Sequence, residues 1–154
     1  MLKKDKLEPG DLVFVDQFES QVPSQIFSPR GSKIHSRKYK GGTVYYDAAT
    51  GRMKVYLQDS FTAEETAQTK LRFERENTTE GVYIKAYNTD NGVFTAEQFM
   101  KEVFENFQGT RRSGVGGHHH NGVAEKAIKD ITRMSRTMMV HQALRWPKMV
   151  DKSF

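Results

Sequence analysis

Asn-Thr-Asp-Asn-Gly at residues 88–92 and His-Asn-Gly-Val-Ala-Glu at residues 120–125 are the two motifs that decide how this chain folds and what it can do. Each motif places one carboxylate, Asp90 or Glu125, beside an Asn-Gly pair, and 34 residues separate the two acids. That interval can hold a helix, a short strand and a loop. If these elements fold back on one another, the two carboxylates meet, and a third acid would complete a divalent-metal site for phosphoryl transfer.

Four segments that precede the first motif predict β-strands. Residues 11–16 form an apolar, β-branched run with Asp16 at its far end. Residues 42–48 and residues 53–58 flank a short turn, which predicts an antiparallel hairpin. Residues 82–87 alternate apolar and polar side chains and predict a strand that ends just before the first motif.

Two capping boxes predict the first two helices. Thr-x-x-Glu at residues 62–65 begins a helix that extends to about residue 77, and Thr-x-x-Gln at residues 95–98 begins a second helix that ends near Gly109. A short strand over residues 110–113 could follow. The order is therefore three strands, helix, strand, helix, short strand and helix. This order predicts an α/β fold in which helices pack on a mixed sheet.

The third predicted helix extends from about Asn121 to His141 and is amphipathic at 100° per residue. Its apolar face, which we expect to be buried, carries Val123, Ala127, Ile131, Met134 and Met138. A basic stripe lies roughly opposite and carries Lys126, Lys129, Arg133 and Arg136. A solvated face with a Glu125–Lys129 ion pair is one explanation of these charges. A surface that binds phosphates also explains the row of four cations beside an acidic motif.

Residues 20–40 show no helical or strand periodicity and contain two prolines and five serines. Their second half, residues 30–40, carries six basic side chains and no acid. This composition predicts a long basic loop, which is either solvated or in contact with phosphates.

Composition limits the class of protein. The 154 residues suit a single domain, and the net charge of +5 with a pI of about 9.4 favours a polyanionic partner, nucleic acid rather than membrane. The absence of cysteine excludes disulfides, cysteine-ligated zinc and a thiol nucleophile. The sequence holds no apolar run of transmembrane length, and its start has no signal-peptide pattern. We therefore expect an intracellular protein, nuclear or cytoplasmic, that is not secreted.

Together these segments resemble the catalytic core of retroviral and retrotransposon integrases, most closely those of the Ty1/copia class. Residues 89–95 (Thr-Asp-Asn-Gly-Val-Phe-Thr) are similar to the second-aspartate motif of that family, and residues 120–125 are similar to its glutamate motif. Residues 13–16 (Val-Phe-Val-Asp) match the strand of the first aspartate. The resemblance implies an RNase H-like fold: a mixed five-stranded sheet, antiparallel in its first three strands, flanked by helices. The predicted catalytic core domain spans residues 8–150, with no N-terminal zinc domain and no C-terminal DNA-binding domain.

The resemblance also implies an activity and a set of site residues. The activity is metal-dependent polynucleotidyl transfer, which joins the 3′ ends of element DNA to target DNA. By motif, the catalytic and metal-binding triad is Asp16, Asp90 and Glu125, which would hold two Mg²⁺ or Mn²⁺ ions. The partners are element ends and target DNA, and the active form is expected to be a homo-oligomer. The predicted DNA-binding residues are Asn121, Lys126, Lys129, Arg133 and Arg136.

Other interpretations of the chain and of single residues stay open at this stage. The chain could be a truncated, inactive element remnant that only binds DNA, or an RNase H-like nuclease that cleaves RNA–DNA hybrids. Asp47 competes with Asp16 as the first acid, although an aspartate that precedes a turn more often has a structural role. His118–His120 stand where copia-like sequences carry Pro-Gln-Gln. Three consecutive histidines rarely reach one ion, so a loop or DNA contact is favoured over a zinc site.

Overall fold

Five strands and three helices form the part of the chain that the structure describes, namely residues 6–27, 33–89, 94, 97–112 and 122–145 of a computed structural model. The elements are β1 (Val13–Phe27), β2 (Lys33–Asp47), β3 (Met53–Gln58), α1 (Ala63–Thr79), β4 (Ala86–Thr89), α2 (Glu97–Glu105), β5 (Gly109–Arg112) and α3 (Gly122–Arg145).

The strands form one open sheet in the order β3-β2-β1-β4-β5. β1, β2 and β3 are antiparallel neighbours, whereas β4 lies parallel to β1 and β5 lies parallel to β4. The predicted mixed five-stranded sheet, antiparallel in its first three strands and flanked by helices, is therefore confirmed. β1 is the central strand, and its residues 13–15 pair with β2 on one side and with β4 on the other.

Helices cover both faces of this sheet. Tyr45 of β2 stacks on Phe73 of α1 with ring centroids 4.5 Å apart, so this side chain faces α1. Its neighbour Val44 points to the opposite face, because successive side chains alternate along a strand, and it lines a groove with Ile128 of α3. The main core lies on the α1 and α2 side, and its buried members are Val13, Val15, Tyr45, Tyr56, Phe73, Ile84, Tyr87, Phe94, Phe99 and Val103.

The predicted long loop over residues 20–40 is wrong where the structure describes it. β1 continues to Phe27 and β2 already begins at Lys33, so most of this segment is a long two-stranded hairpin. The pairing register shifts between Glu19 and Ser24, the interval that contains Pro23. A proline fits such an irregularity because it cannot donate a backbone hydrogen bond to the ladder. The remaining positions, residues 28–32, lie outside the described part of the chain.

The sequence signals for helix starts are largely confirmed. Thr62 caps α1, and its hydroxyl accepts a hydrogen bond from the backbone N–H of Glu65 at 3.3 Å. The Glu65 carboxylate does not close the expected box on Thr62. It accepts instead from the backbone N–H groups of Asp59 and Ser60, at 3.1 and 2.8 Å. At α2, the ring of Phe94 packs edge-on against Phe99 with centroids 5.4 Å apart, as a hydrophobic staple requires.

The buried face of α3 differs from the predicted one. Ala127 is buried as predicted, but Val123, Met134 and Met138 are exposed, and Ala124 is buried in their place. The face that packs on β1 and β2 is thus rotated by roughly 60° around the helix axis from the predicted apolar face. The small alanines allow the helix backbone to approach the sheet. None of the helices in the described ranges is long and apolar enough to cross a lipid bilayer.

Candidate active site

Asp16 lies within the central strand rather than at its end, because β1 continues eleven residues beyond it, to Phe27. It pairs in register with Val44 of β2, which places it on the face of the sheet that α3 covers. The side chain is half-buried, and its Oδ1 accepts a hydrogen bond from the backbone N–H of Gln17 at 2.8 Å. The first predicted acid is therefore held on a rigid element and remains partly accessible.

The parallel pairing of β1 with β4 brings the second motif segment next to Asp16. Val15 is the register partner of Thr89. Thr89 immediately precedes Asp90, just as Val15 immediately precedes Asp16. Asp90 itself lies outside the described residues, so its predicted role stays a prediction. The described strands nevertheless run side by side up to the residue before each aspartate.

Glu125 lies in the first turn of α3 and is exposed. A groove of about 550 Å³ separates α3 from the sheet, with Phe18 of β1 on one wall and Ile128 of α3 on the other. Asp16 precedes Phe18 by two residues, and Glu125 precedes Ile128 by three. Each carboxylate thus adjoins the part of its own element that lines the shared groove.

The four predicted phosphate-binding cations of α3, Lys126, Lys129, Arg133 and Arg136, are all exposed. The Glu125–Lys129 ion pair, one of the two explanations considered for these charges, is not formed, and both residues are within the described part of the chain. Arg136 also lines the groove between α3 and the sheet. The remaining predicted DNA-binding residue, Asn121, and the His118–His120 run lie outside the residues that the structure describes.

The two helical layers differ in charge. α3 carries five Lys and Arg residues against two acids, whereas α2 carries one Lys against three acids, and α1 carries four acids against three bases. The excess positive charge of the helices therefore lies on the same side of the sheet as Asp16. The charge of the helices therefore favours a polyanion on this face over the opposite one.

Asp47, the alternative first acid, has a structural role. Its Oδ2 accepts a hydrogen bond from the Thr50 hydroxyl at 2.6 Å, and its Oδ1 faces the backbone N–H groups of Gly10 and Ala49, both at 3.4 Å. These bonds fix the turn between β2 and β3 and tie it to the segment before β1. These hydrogen bonds give the Asp47 carboxylate a structural role in the turn, which favours Asp16 as the first acid of the site.

A buried polar cluster on the opposite face was not predicted from the sequence. Lys70 of α1 is fully buried, and its Nζ lies 2.9 Å from Glu74 Oε1 and 5.5 Å from the centre of the Tyr87 ring. The same Glu74 oxygen accepts hydrogen bonds from the Tyr87 hydroxyl and from Gln108 Nε2, each at 2.6 Å. The i,i+4 spacing of Lys70 and Glu74 was the available signal. This cluster joins α1 to β4 and to the chain just before β5.

Glu102 of α2 borders this cluster, and desolvation raises the pKa of its carboxyl group, although Lys70 opposes the shift. Folding therefore favours the protonated form. The contribution of protonated Glu102 to the stability of the folded state is complete below the ordinary glutamate pKa of the unfolded chain. This contribution is lost as the pH rises through the higher pKa of Glu102 in the folded state.

We expect Glu102→Gln to raise the urea midpoint of unfolding relative to wild type more at pH 7 than at pH 4, because an amide carries no ionisation cost. The groups that face Glu102 electrostatically are Lys70 and Glu74 from α1 and Glu105 from its own helix, and all three stay in place. The matched control is Glu97→Gln, an exposed glutamate of the same helix. Differences from wild type that are equal at both pH values would contradict the expected effect.

The donor chemistry at the Asp16 face fits hard divalent cations, because carboxylate oxygens are the ligands that Mg²⁺ and Mn²⁺ prefer. Within the described ranges, which omit Asp90, no group of three His, Cys, Asp or Glu side chains is close enough to hold a metal ion. Asp16 and Glu125 are the acids that the described part contributes to the predicted triad.

The sheet order, the parallel β1, β4 and β5, and the three helices define the RNase H-like fold of integrase catalytic cores. The HTLV-2 integrase catalytic core domain in complex with magnesium matches in its dimeric form with a TM-score of 0.61 and 17% identity, over 94% of this chain and 79% of that one. The trimeric form of the same complex matches with a TM-score of 0.58 and 17% identity, over 94% and 78%.

A third structure, a simian T-cell lymphotropic virus intasome in complex with the PP2A regulatory subunit B56 gamma, matches with a TM-score of 0.65 and 12% identity. That match covers 93% of this chain and 44% of the other. No protein-family model matches the sequence, and no curated protein matches it. At these identities the likeness establishes the fold.

Proposed function

We propose that this chain is the catalytic core of a retrotransposon integrase of the Ty1/copia type, which transfers the 3′ ends of element DNA to target DNA. The observation that carries the proposal is the pairing of Val15 with Thr89, which sets the chain before Asp16 beside the chain before Asp90. α3, which carries Glu125, packs on the strand that holds Asp16. The integrase-core fold and the two acidic motifs support the same function.

Asp16, Asp90 and Glu125 would together hold two Mg²⁺ or Mn²⁺ ions. The magnesium in the HTLV-2 integrase structures supports this choice of metal. When bound, such a pair of ions would supply activation of the attacking oxygen and charge stabilisation of the leaving oxygen. The chain's own contribution is to hold the carboxylates on a central strand and on a helix that packs against that strand. Their positions then need little rearrangement during the reaction.

The exposed cations of α3 would bind DNA phosphates, with Asn121 as a further contact. Each neutralised phosphate releases counterions, so binding would weaken steeply as the salt concentration rises. The dimeric and trimeric forms of the HTLV-2 core are consistent with a homo-oligomer as the active state. An enzyme that acts on chromosomal DNA would work in the nucleus after synthesis in the cytoplasm, which accords with the expected intracellular location.

The test of this function is a strand-transfer and disintegration assay with the wild-type chain. We expect joined DNA products in the presence of Mn²⁺ or Mg²⁺ and none after chelation with EDTA, because the carboxylates would have no ion to hold. A parallel assay offers an RNA–DNA hybrid. Cleavage of the RNA–DNA hybrid without DNA joining would favour the alternative that the chain is an RNase H-like nuclease. DNA binding without any turnover would favour the alternative that it is an inactive remnant.

A further inference from the structure

Arg111 of β5 lies in the same row of side chains as Asn88 of β4 and Phe14 of β1. The parallel registers pair Phe14 with Asn88 and Asn88 with Arg111, so the three residues stand side by side across neighbouring strands. Residues paired in register share a face of the sheet. Phe14 in turn pairs with Tyr46, two residues along β2 from Val44, the residue that lines the α3 groove.

The neighbouring row confirms this assignment of faces. Tyr87 pairs with Val13 and with Thr110, and Tyr87 is buried in the core on the α1 and α2 side. Because side chains alternate along each strand, Arg111 must point to the other side, which is the side of Asp16. Strand spacing and rise place the Cα of Arg111 about 12 Å from the Cα of Asp16. The guanidinium of an extended arginine side chain can lie closer to Asp16 than the Cα of Arg111 does.

Arg111 is exposed. Within the described ranges the ion pairs involve other cations, such as Lys85 with Asp11 and Lys101 with Glu105, and none involves Arg111. Among the described residues no carboxylate pairs with the Arg111 guanidinium. At a sheet edge near an acidic site, this group is suited to an external anion. A phosphate diester matches its planar fork of donors.

We propose that Arg111 binds a backbone phosphate of the DNA strand held at the carboxylate site, on the β5 side of that site. The cations of α3 lie beyond the groove, on a different element, so the DNA backbone would be held from two directions. This inference rests on the proposed function, because it assumes that the polyanion near Asp16 is DNA. It adds a contact that the α3 stripe alone does not provide.

The test is the binding of a duplex oligonucleotide to the whole chain as a function of salt concentration. We expect Arg111→Gln to weaken binding by roughly five- to tenfold at 0.1 M salt, and to reduce the slope of log K against log salt by about 0.9, the effect of one lost phosphate contact. Arg111→Lys keeps the charge and should retain the salt slope, with a smaller loss of affinity because the bidentate fork is missing.

The matched control is Arg75→Gln, which removes the same charge from an exposed position of α1 on the acidic side of the sheet. If Arg111→Gln and Arg75→Gln bind DNA equally well with the same salt slope, the inference is overturned. That result would leave the proposed function intact if the wild type still joins DNA. The opposite combination is also distinguishable. If the wild-type chain joins no DNA, but Arg111→Gln still reduces the salt slope by one phosphate contact, the proposed function is wrong and the DNA contact of Arg111 is supported.

Discussion

Phe99→Ala is expected to lower the free energy of unfolding by about 3–5 kcal/mol, the range observed when a buried aromatic ring is removed from a packed core. Phe99 has no exposed surface. Its ring packs against Tyr87 and Phe94, with centroids 6.0 and 5.4 Å away, and the Lys70 ammonium lies 5.9 Å from its centre. The loss should appear in urea unfolding followed by far-UV circular dichroism.

The same helix offers a control. Phe104 is 82% exposed, so Phe104→Ala should change the free energy of unfolding by no more than about 0.5 kcal/mol. Both residues are phenylalanines of α2, and only the structure shows that one ring is buried and the other exposed. Equal losses for the two substitutions would mean that α2 does not pack as described.

The order of elements could be predicted from the sequence because each element carries its own local signal. Thr62 marks the start of α1, the Thr-x-x-Gln box at residues 95–98 marks the start of α2, and the short turn after residue 48 predicts the hairpin of β2 and β3. These signals act within a few residues, so they do not depend on the rest of the fold. The long β1–β2 hairpin lacked such a signal. The outer half of this hairpin contains prolines and serines, a composition typical of loops. The hairpin forms because its two strands pair with each other, and composition does not predict such pairing.

The faces of helices were predicted less well, for a related reason. A helix side chain is buried only where another helix or strand packs against it, and its apolar character alone does not determine where that packing occurs. Leu71 of α1 is half-exposed while Lys70 beside it is fully buried, because Glu74 provides the charge that makes burial possible. On α3, small Ala124 lies against the sheet and the larger Met138 lies in solvent.

The residues of the candidate site were predicted from motifs and remain predictions, whereas the side chains around them have no such signal in the sequence. Asp90 and Glu125 were predicted because each lies beside an Asn-Gly pair, and Asp16 because it follows an apolar, strand-like run. The phosphate contact proposed for Arg111 could not be predicted from the sequence, because a four-residue strand has no defined face until β4 pairs with it. A register that differed by one residue would turn this side chain to the opposite side of the sheet.

Asp16→Asn, Asp90→Asn and Glu125→Gln are each expected to reduce strand transfer at least about a hundredfold. A metal ion contributes several kcal/mol to the stabilisation of transition-state charge, and each 1.36 kcal/mol lost corresponds to about a factor of ten in rate. An amide keeps the shape of the side chain but not its negative charge, so far-UV circular dichroism should be unchanged. Activity that survives Asp90→Asn would remove that residue from the triad.

Asp130→Asn is the matched control on α3, because Asp130 is an acid of the same helix five residues beyond Glu125 and outside the motif. It should retain near-wild-type strand transfer. DNA binding without metal separates the roles further. The three carboxylates of the proposed site would repel phosphates, so neutralising one of them should leave DNA affinity equal or slightly higher while turnover is lost. A variant of the triad that loses DNA binding and turnover together would instead indicate that its carboxylate supports the fold of the DNA-binding face rather than a metal ion.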